Sequence, residues 1–287
     1  EPIKQKWNGI AQHISYIVID GTDILILTIF SSLINISIYS VYLLPLKGVK
    51  QLLLSTTSGV QALIGNLWAK QNVKELRNVF AWTEWIIHTG TTLIFTLTAV
   101  LIVPFVQVYT HGINDANYMQ PLFGVLLVAA NSGHCLRLPY NIMILAAGHY
   151  KQTQHNYIIA AVMNIVISII GVKQFGLIGV TLGTMAAMVY QTVWMAWYNS
   201  KNFIQWPMKN FFKQIGVDAV SAVGITFFTS YFTLTSVNYI SWIVLSIKVT
   251  VIGLLVIIAI NAIFYRRYIE FLFSKMRKIW ERLSKNE

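Results

Sequence analysis

The sequence predicts an all-α polytopic membrane protein with about eight transmembrane helices, and three observations carry that prediction. Hydrophobic residues make up 56% of the 287 positions and charged residues only 11%, where soluble domains carry about a quarter charged. Mean hydropathy is +0.61. The apolar residues fall in long, nearly charge-free runs instead of at amphipathic spacing, which is the pattern of segments solvated by lipid. A water-soluble globular domain is thereby excluded. A transmembrane β-barrel would show alternating segments of about ten residues, and none is present.

A span needs about 20 apolar residues, and eight runs meet that requirement, at roughly 8–30, 36–66, 79–108, 120–147, 154–172, 175–199, 212–234 and 240–265. The first follows Lys4 and Lys6 and ends at Ser31 to Asn35, where no Lys or Arg occurs. The second returns to a connection holding Lys70, Lys74 and Arg77. The third starts with Trp82 and Trp85 and reaches the uncharged-to-acidic loop Thr110 to Tyr118, and the fourth comes back to Lys151. The fifth and sixth are joined by Val172 to Phe175, with Lys173 its one cation. The sixth ends at Lys201, followed by Lys209 and Lys213. The seventh and eighth flank Thr233 to Asn238, which again lacks Lys and Arg, and the eighth leads into the cationic stretch Arg266 to Lys285.

Lys and Arg near span ends are retained in the cytoplasm, so every Lys/Arg-rich loop and both termini are expected on that side. Trp7, Trp68, Trp82, Trp85, Trp197 and Trp206 cluster at the inner boundary so defined and Trp242 at the outer one, as interfacial anchors should. The net charge of +11 is therefore read as membrane sidedness. In the tail, Ile269, Phe271, Leu272, Phe273, Met276 and Ile279 interleave with cations, the composition of a helix lying flat on anionic membrane lipids. No other feature supports nucleic acid as a partner. Cys135, the one cysteine, excludes an intrachain disulfide and lies in an apolar run, where a thiol packs. No cleavable signal peptide is visible in the opening residues, and a chain opening Glu1-Pro2-Ile3-Lys4 without Met is the start expected of a piece of a longer protein.

Among the charges inside the expected spans, six are singled out as candidate functional residues: Lys47, Lys50, Arg137, Lys248, Asp20 and Asp23. Each costs on the order of 2.5–3.5 kcal/mol at the bilayer centre, so each is expected to face a partner or a water-filled cavity. Asp20 and Asp23 share a helix face, as do Lys47 and Lys50, and Asp23 and Lys47 come to similar depth. One reading is an ion-pair cluster that locks the first two helices together. The other is a polar cavity in which Lys47, Lys50, Arg137 and Lys248 handle an anionic substrate while Asp20 and Asp23 bind a coupling ion or balance charge. The cationic surplus favours the cavity. Lys248 lies close enough to a span end to snorkel. Pro45 and Gly48 in the second span, and Gly133 and Pro139 in the fourth, are candidate kinks beside these cations, where irregular backbone can line a cavity.

Other polar residues have bland readings. Ser55, Thr56, Thr57, Ser58, Gln61, Asn66, Asn131, Ser132, His134 and Asn141 suit helix-to-helix hydrogen bonding. His13, His88 and His134 fall one per helix with no metal-ligand spacing, and Glu84 with His88 reads as an ordinary i,i+4 pair. No phosphate loop of the Gly-x-x-x-x-Gly-Lys-Ser/Thr type and no Gly-x-Ser-x-Gly occur, so no catalytic residue, cofactor or metal is assigned.

Three stretches carry a resemblance: TDILILTIFSSLINISIYSVY at Thr22 to Tyr42, GNLWAKQNVKELRNVF at Gly65 to Phe80, and AAGHYKQTQHNYIIAAVMNIVISIIGVKQFGLIGVTLGT at Ala146 to Thr184, the last combining a Gly-His-Tyr-Lys-Gln-Thr turn and Asn164 with a short turn into Gly176, Gly179 and Gly183. The chain resembles the polysaccharide (O-antigen or capsule) flippases of the multidrug/oligosaccharidyl-lipid/polysaccharide transporter superfamily. The resemblance implies two six-helix lobes around a central cavity. Residues 1–200 would be the second lobe, 201–265 two additional helices and 266–287 a basic amphipathic cytoplasmic tail, with the N-terminal lobe missing from this chain. It further implies a bacterial cytoplasmic (inner) membrane protein that flips an undecaprenyl-diphosphate-linked oligosaccharide, with Na+ or H+ as coupling ion. Separately from the resemblance, the Gly179 to Gly183 spacing predicts close helix packing. The rival readings are a cation-coupled multidrug antiporter of the same superfamily, which would show surplus acids, a membrane-embedded transferase of the polysaccharide pathway, with only His111 and Asp115 to work with on the outer side, and a non-transporting scaffold.

Overall fold

The computed structural model describes the backbone of residues 2–283; the side chains of 1–9, 11, 16, 20, 58, 276 and 278–287 lie outside the described residues, and with them the assignment made for Asp20. Among the described residues every regular element is an α-helix. In chain order they are α1 (Pro2–Phe30), α2 (Leu33–Ser55), α3 (Ser58–Ala69), α4 (Val73–Tyr109), α5 (Pro121–Leu136), α6 (Leu138–Ala146), α7 (Tyr150–Phe175), α8 (Leu177–Asn202), α9 (Met208–Thr229), α10 (Tyr239–Phe264) and α11 (Arg266–Leu283).

Six of these units are long and apolar enough to cross a membrane: α4, α5 with α6 taken together, α7, α8, α9 and α10. A seventh is added if α1 counts as one span bent by 50° between Gln12–Ile19 and Gly21–Phe30. The expected single span over 36–66 is not among them. Lys47 and Lys50 dilute its hydropathy, and the helix is interrupted at Thr56 and Thr57, whose hydroxyls turn back onto the carbonyls of Leu53 and Leu54. Nor does the second span break where proline and glycine predicted: α2 runs unbroken through Pro45 and Gly48. The fourth span does divide beside Pro139. Proline has no N–H to offer the carbonyl four residues back and its ring clashes with it, so α5 ends at Leu136 and α6 restarts at Leu138, with Arg137 capping both.

Helix starts follow local chemistry. Ser32, Asn72 and Asn238 each precede a helix and accept a hydrogen bond from the backbone N–H three residues on, satisfying one of the orphan donors of a first turn. The expected four-residue turn between the fifth and sixth spans shrinks to Gly176, whose φ of +56° is easy only for glycine.

Packing is organised around α7 and α8. A Cβ added to Gly179 would fall 2.0 Å from the Gly171 carbonyl oxygen, and one added to Gly183 would fall 2.0 Å from Ser168 Oγ. The two backbones therefore touch through the glycines, as the small-residue spacing predicted. α1 packs along α7, α5 along α8, α4 along α5, and α9 and α10 along the outer side of α4. α2 crosses α1, α4 and α5, and is pinned by Tyr42, whose hydroxyl donates to the Tyr118 carbonyl at 2.9 Å and accepts from the Gln120 N–H at 3.0 Å. In α10 the buried positions are Leu245, Val249, Gly253, Ile257 and Asn261, a single seam four residues apart. Its other faces expose Ile247, Val251, Leu255 and Ile263. A helix apolar all round with one buried seam belongs in lipid.

Candidate functional site

The space enclosed by α1, α2, α5 and α8 is polar. Asp23 of α1 is buried there and accepts hydrogen bonds from Tyr39 Oη of α2 at 2.9 Å and from Thr184 Oγ1 of α8 at 2.8 Å. Thr184 in turn accepts from Asn164 Nδ2 of α7 at 2.9 Å, so four helices hold one carboxylate. Lys47 and Lys50, one turn apart on α2, line the same cavity with Asn131 and His134 of α5. The spacing that places two residues on one helix face thus brings both lysines to the side that holds Asp23. The cavity is narrow at this level, about 30 Å³.

It widens toward the break in the fourth span. His134 lines both this constriction and a second space of about 450 Å³ bounded by Gln12 and His13 of α1, Gln61 of α3, Arg137, Asn141 of α6 and Tyr157 of α7. Arg137, only 3% exposed, extends from the α5–α6 junction, donates through one terminal nitrogen to Gln191 Oε1 of α8 and has the other 3.1 Å from His134 Nδ1. The Tyr157 hydroxyl donates to Asn141 Oδ1, and Gln12 Nε2 donates to Thr153 Oγ1 at 2.9 Å, closing the wall between α1, α6 and α7. Among the described side chains the two spaces present three cations, Lys47, Lys50 and Arg137, against the carboxylate of Asp23. In a low-dielectric setting such a lining attracts and orients a multiply charged anion, and an arginine offers it a forked pair of donors.

The remaining assigned residues divide. Gly133 lies in the last turn of α5 and makes a close contact with α8: its Cβ would meet Met188 Cβ at 3.0 Å, and its carbonyl accepts from Thr192. Pro139 accompanies the break that presents Arg137. Pro45 faces a separate apolar hollow with Trp242 and Leu101. Lys248 does not join the cluster. It is exposed on α10, which packs on α4 and α9 and contributes nothing to either space, so the shared-cavity assignment is withdrawn for it.

A second polar centre was not anticipated. Glu84 and His88 of α4 face Tyr140 of α6 and Asp218 of α9 in a buried network. His88 Nδ1 lies 2.6 Å from Asp218 Oδ2; the Tyr140 hydroxyl donates to Glu84 Oε1 at 2.7 Å and sits 3.2 Å from His88 Nε2. Trp206 Nε1 donates to the other Glu84 oxygen at 2.8 Å, and Gln214 Nε2 to Asp218 Oδ1 at 3.0 Å. Glu84 and His88 are thus more than an i,i+4 pair. The readable signal was Asp218 itself, an acid in the middle of the apolar run expected to be the seventh span.

No family model matches the chain, and none of the curated proteins matches it.

Proposed function

We propose that the chain is one lobe of a membrane transporter that moves a lipid-linked oligosaccharide carried on undecaprenyl diphosphate from the inner to the outer leaflet of a bacterial cytoplasmic membrane, as a polysaccharide flippase does. The observation that carries this reading is the cavity lined by Lys47, Lys50 and Arg137, shaped by broken spans and bordered by α1, α2, α5 and α8. A diphosphate carries close to two negative charges, and three cations, the buried Lys50 and Arg137 and the exposed Lys47, offset the cost of bringing it into a low-dielectric space. The surplus of cations in that space argues against a multidrug antiporter, whose cationic cargo calls for acids.

In this reading eight crossings, α1, α2 with α3, α4, α5 with α6, and α7 to α10, leave both termini cytoplasmic. α1 to α8 form the second six-helix lobe, α9 and α10 the additional pair, and a companion N-terminal lobe faces the open side of the cavity. Alternating access is rocking of one lobe on the other. In the same reading Lys70, Lys74, Arg77, Lys151 and Lys201 lie at the inner leaflet, where Lys/Arg-rich span ends are retained, and α11 lies on its anionic surface. Asp23 holds the lysines in register.

The test is complementation of a bacterium lacking its polysaccharide flippase, using the full-length protein with Lys47→Ala, Lys50→Ala and Arg137→Ala, and abundance followed by immunoblot. Loss of surface polysaccharide at unchanged abundance supports the reading. Full polysaccharide in all three variants, or a wild type that never complements, overturns it.

A further inference from the structure

The Glu84, Tyr140, His88 and Asp218 network has features that the anion cavity does not explain. It lies outside that cavity, sets the Asp218 carboxylate against the His88 imidazole and brings the Glu84 carboxylate to it through the Tyr140 hydroxyl, and does so where α4, α6 and α9 meet with His88 wholly buried. Asp218 is near the midpoint of the 22-residue α9. Two full negative charges at such a place are costly. One proton on His88 leaves the group with a net charge of minus one, and a second neutralises it.

The geometry also allows a proton to move. Tyr140 has a single O–H proton and two acceptors within reach, Glu84 Oε1 and His88 Nε2, and the far ring nitrogen of His88 contacts Asp218. A proton arriving at Glu84 can therefore be passed through the hydroxyl and the imidazole to Asp218 without displacing a heavy atom. Glu84 is reached from outside: with Gln214 and Trp206 it borders a cavity of about 280 Å³ where the start of α9 meets the α10–α11 junction. On the other side the polar face continues. Thr91, one turn past His88, and Ser221, one turn past Asp218, bury hydroxyls that have no hydrogen-bond partner among the described residues.

The charged and titratable groups around the network are few. α4 itself adds Arg77, stacked over Trp206; α9 adds Lys213, which donates to the Phe264 carbonyl; the α10–α11 junction adds Tyr265, Arg266, Arg267 and Tyr268 on the cavity rim. α2, α3 and α5 supply none of its hydrogen bonds among the described residues. Lys213, Arg267 and Arg266 stand at the mouth, the last paired with Glu270 at 2.7 Å, with Glu84 buried behind them, and a positive rim opposes a divalent metal cation most strongly.

We propose that this network is a proton-binding site, loaded through the cavity at the foot of α9, in which a carboxylate of Glu84 or Asp218 takes up one proton and becomes a carboxylic acid. Tyr140 stands one turn from Arg137 on the short α6, so the charge of the network is felt at the start of that helix. This link to Arg137 rests on the transport reading above; proton binding itself does not.

Infrared difference spectra of the full-length protein in detergent, between mildly acid and mildly alkaline buffer, test the site. A protonated-carboxyl stretch that disappears on alkalinisation and shifts in D2O is expected in wild type. It should be lost in Glu84→Gln or Asp218→Asn and retained in Asp23→Asn. If either variant does not purify as a monodisperse protein, His88→Gln substitutes for it, with a displaced titration as the expected result. No such band, or one indifferent to all of these changes, overturns the site. Calorimetric titration with farnesyl diphosphate in buffers of different ionisation enthalpy tests the link: proton exchange on binding in wild type and none in Glu84→Gln is expected. Binding without proton exchange overturns the link alone. Failure of farnesyl diphosphate to bind counts against the transport reading, and the spectra still decide the proton site.

Discussion

His88 Nδ1 and Asp218 Oδ2 lie 2.6 Å apart across the α4–α9 interface, with His88 fully buried. That contact ties α4 to α9. Its strength is measurable because each partner has an uncharged replacement of similar size. A double-mutant cycle of His88→Gln and Asp218→Asn, read from thermal unfolding of the protein in detergent, is expected to give a coupling of about 1.5–3 kcal/mol, the range for hydrogen bonds to charged groups. Additive effects of the two substitutions would show that the contact carries no energy of its own.

The α7–α8 contact has no room for a side chain. Gly179→Ala would place a methyl 2.0 Å from the Gly171 carbonyl oxygen, and backbone on both sides leaves nothing flexible to move. We expect this variant to lose most of its membrane abundance. Gly216→Ala on α9 meets nothing within 4 Å and should be neutral or stabilising by up to about 1 kcal/mol, the helix preference of alanine over glycine. Immunoblot and melting temperature of the two variants check the contrast.

These particulars show what local sequence can and cannot report. The Gly179 to Gly183 spacing and the apolar runs predict packing because each is a property of one helix or one hairpin. Arg137 beside Pro139 was legible as a break for the same reason, whereas Pro45 was not followed by one: α2 runs through it and stops at Thr56, where hydroxyls compete for carbonyls. Side-chain orientation around α10 was not legible, so Lys248 could be counted with cations that it never meets. Least legible was the Glu84, His88 and Asp218 network. An acid in an apolar run is visible at Asp218, but its partner is 130 residues away, and only the packing of α9 on α4 joins them.

Thr184 makes two different demands on one hydroxyl: it donates to Asp23 and accepts from Asn164. Thr184→Val keeps the shape and removes both bonds, stranding the Asn164 amide, whose oxygen already lacks a partner among the described residues. A cost of about 1–3 kcal/mol follows from leaving buried polar groups unsatisfied. Thr184→Ser should recover most of it. The melting temperatures of the three proteins check the order.

His149 caps the start of α7, shares a 2.9 Å hydrogen bond with the Tyr198 hydroxyl, and has its pKa lowered from the ordinary 6.5 by partial burial. The unfolded chain therefore binds this proton at a higher pH than the folded chain does. Above about 6.5 the residue makes no difference to stability; as pH falls through that value the unfolded state gains the proton first, and stability declines until the folded-state value is passed. His149→Gln should flatten the dependence of melting temperature on pH over that interval, and an unchanged slope would assign the acid sensitivity elsewhere.

Pro139 separates α5 from α6 by withholding an N–H from the carbonyl of Cys135, and Arg137, at that junction, contacts Gln191 and His134. Pro139→Ala restores that donor and favours one continuous helix from Pro121 onward. Abundance is followed by immunoblot, so that loss of protein is told apart from loss of transport. What changes is geometry: Arg137 and Tyr140 move with the straightened turn, and the cationic lining loses its largest donor. We expect surface polysaccharide in the complementation assay to fall at least tenfold with Pro139→Ala, on the scale of the about 1.4 kcal/mol that one misplaced charge-assisted contact is worth. Pro45→Ala, in a helix that proline does not interrupt, should leave it near wild type. Equal activity of the two variants would mean that the break at Arg137 is incidental to transport.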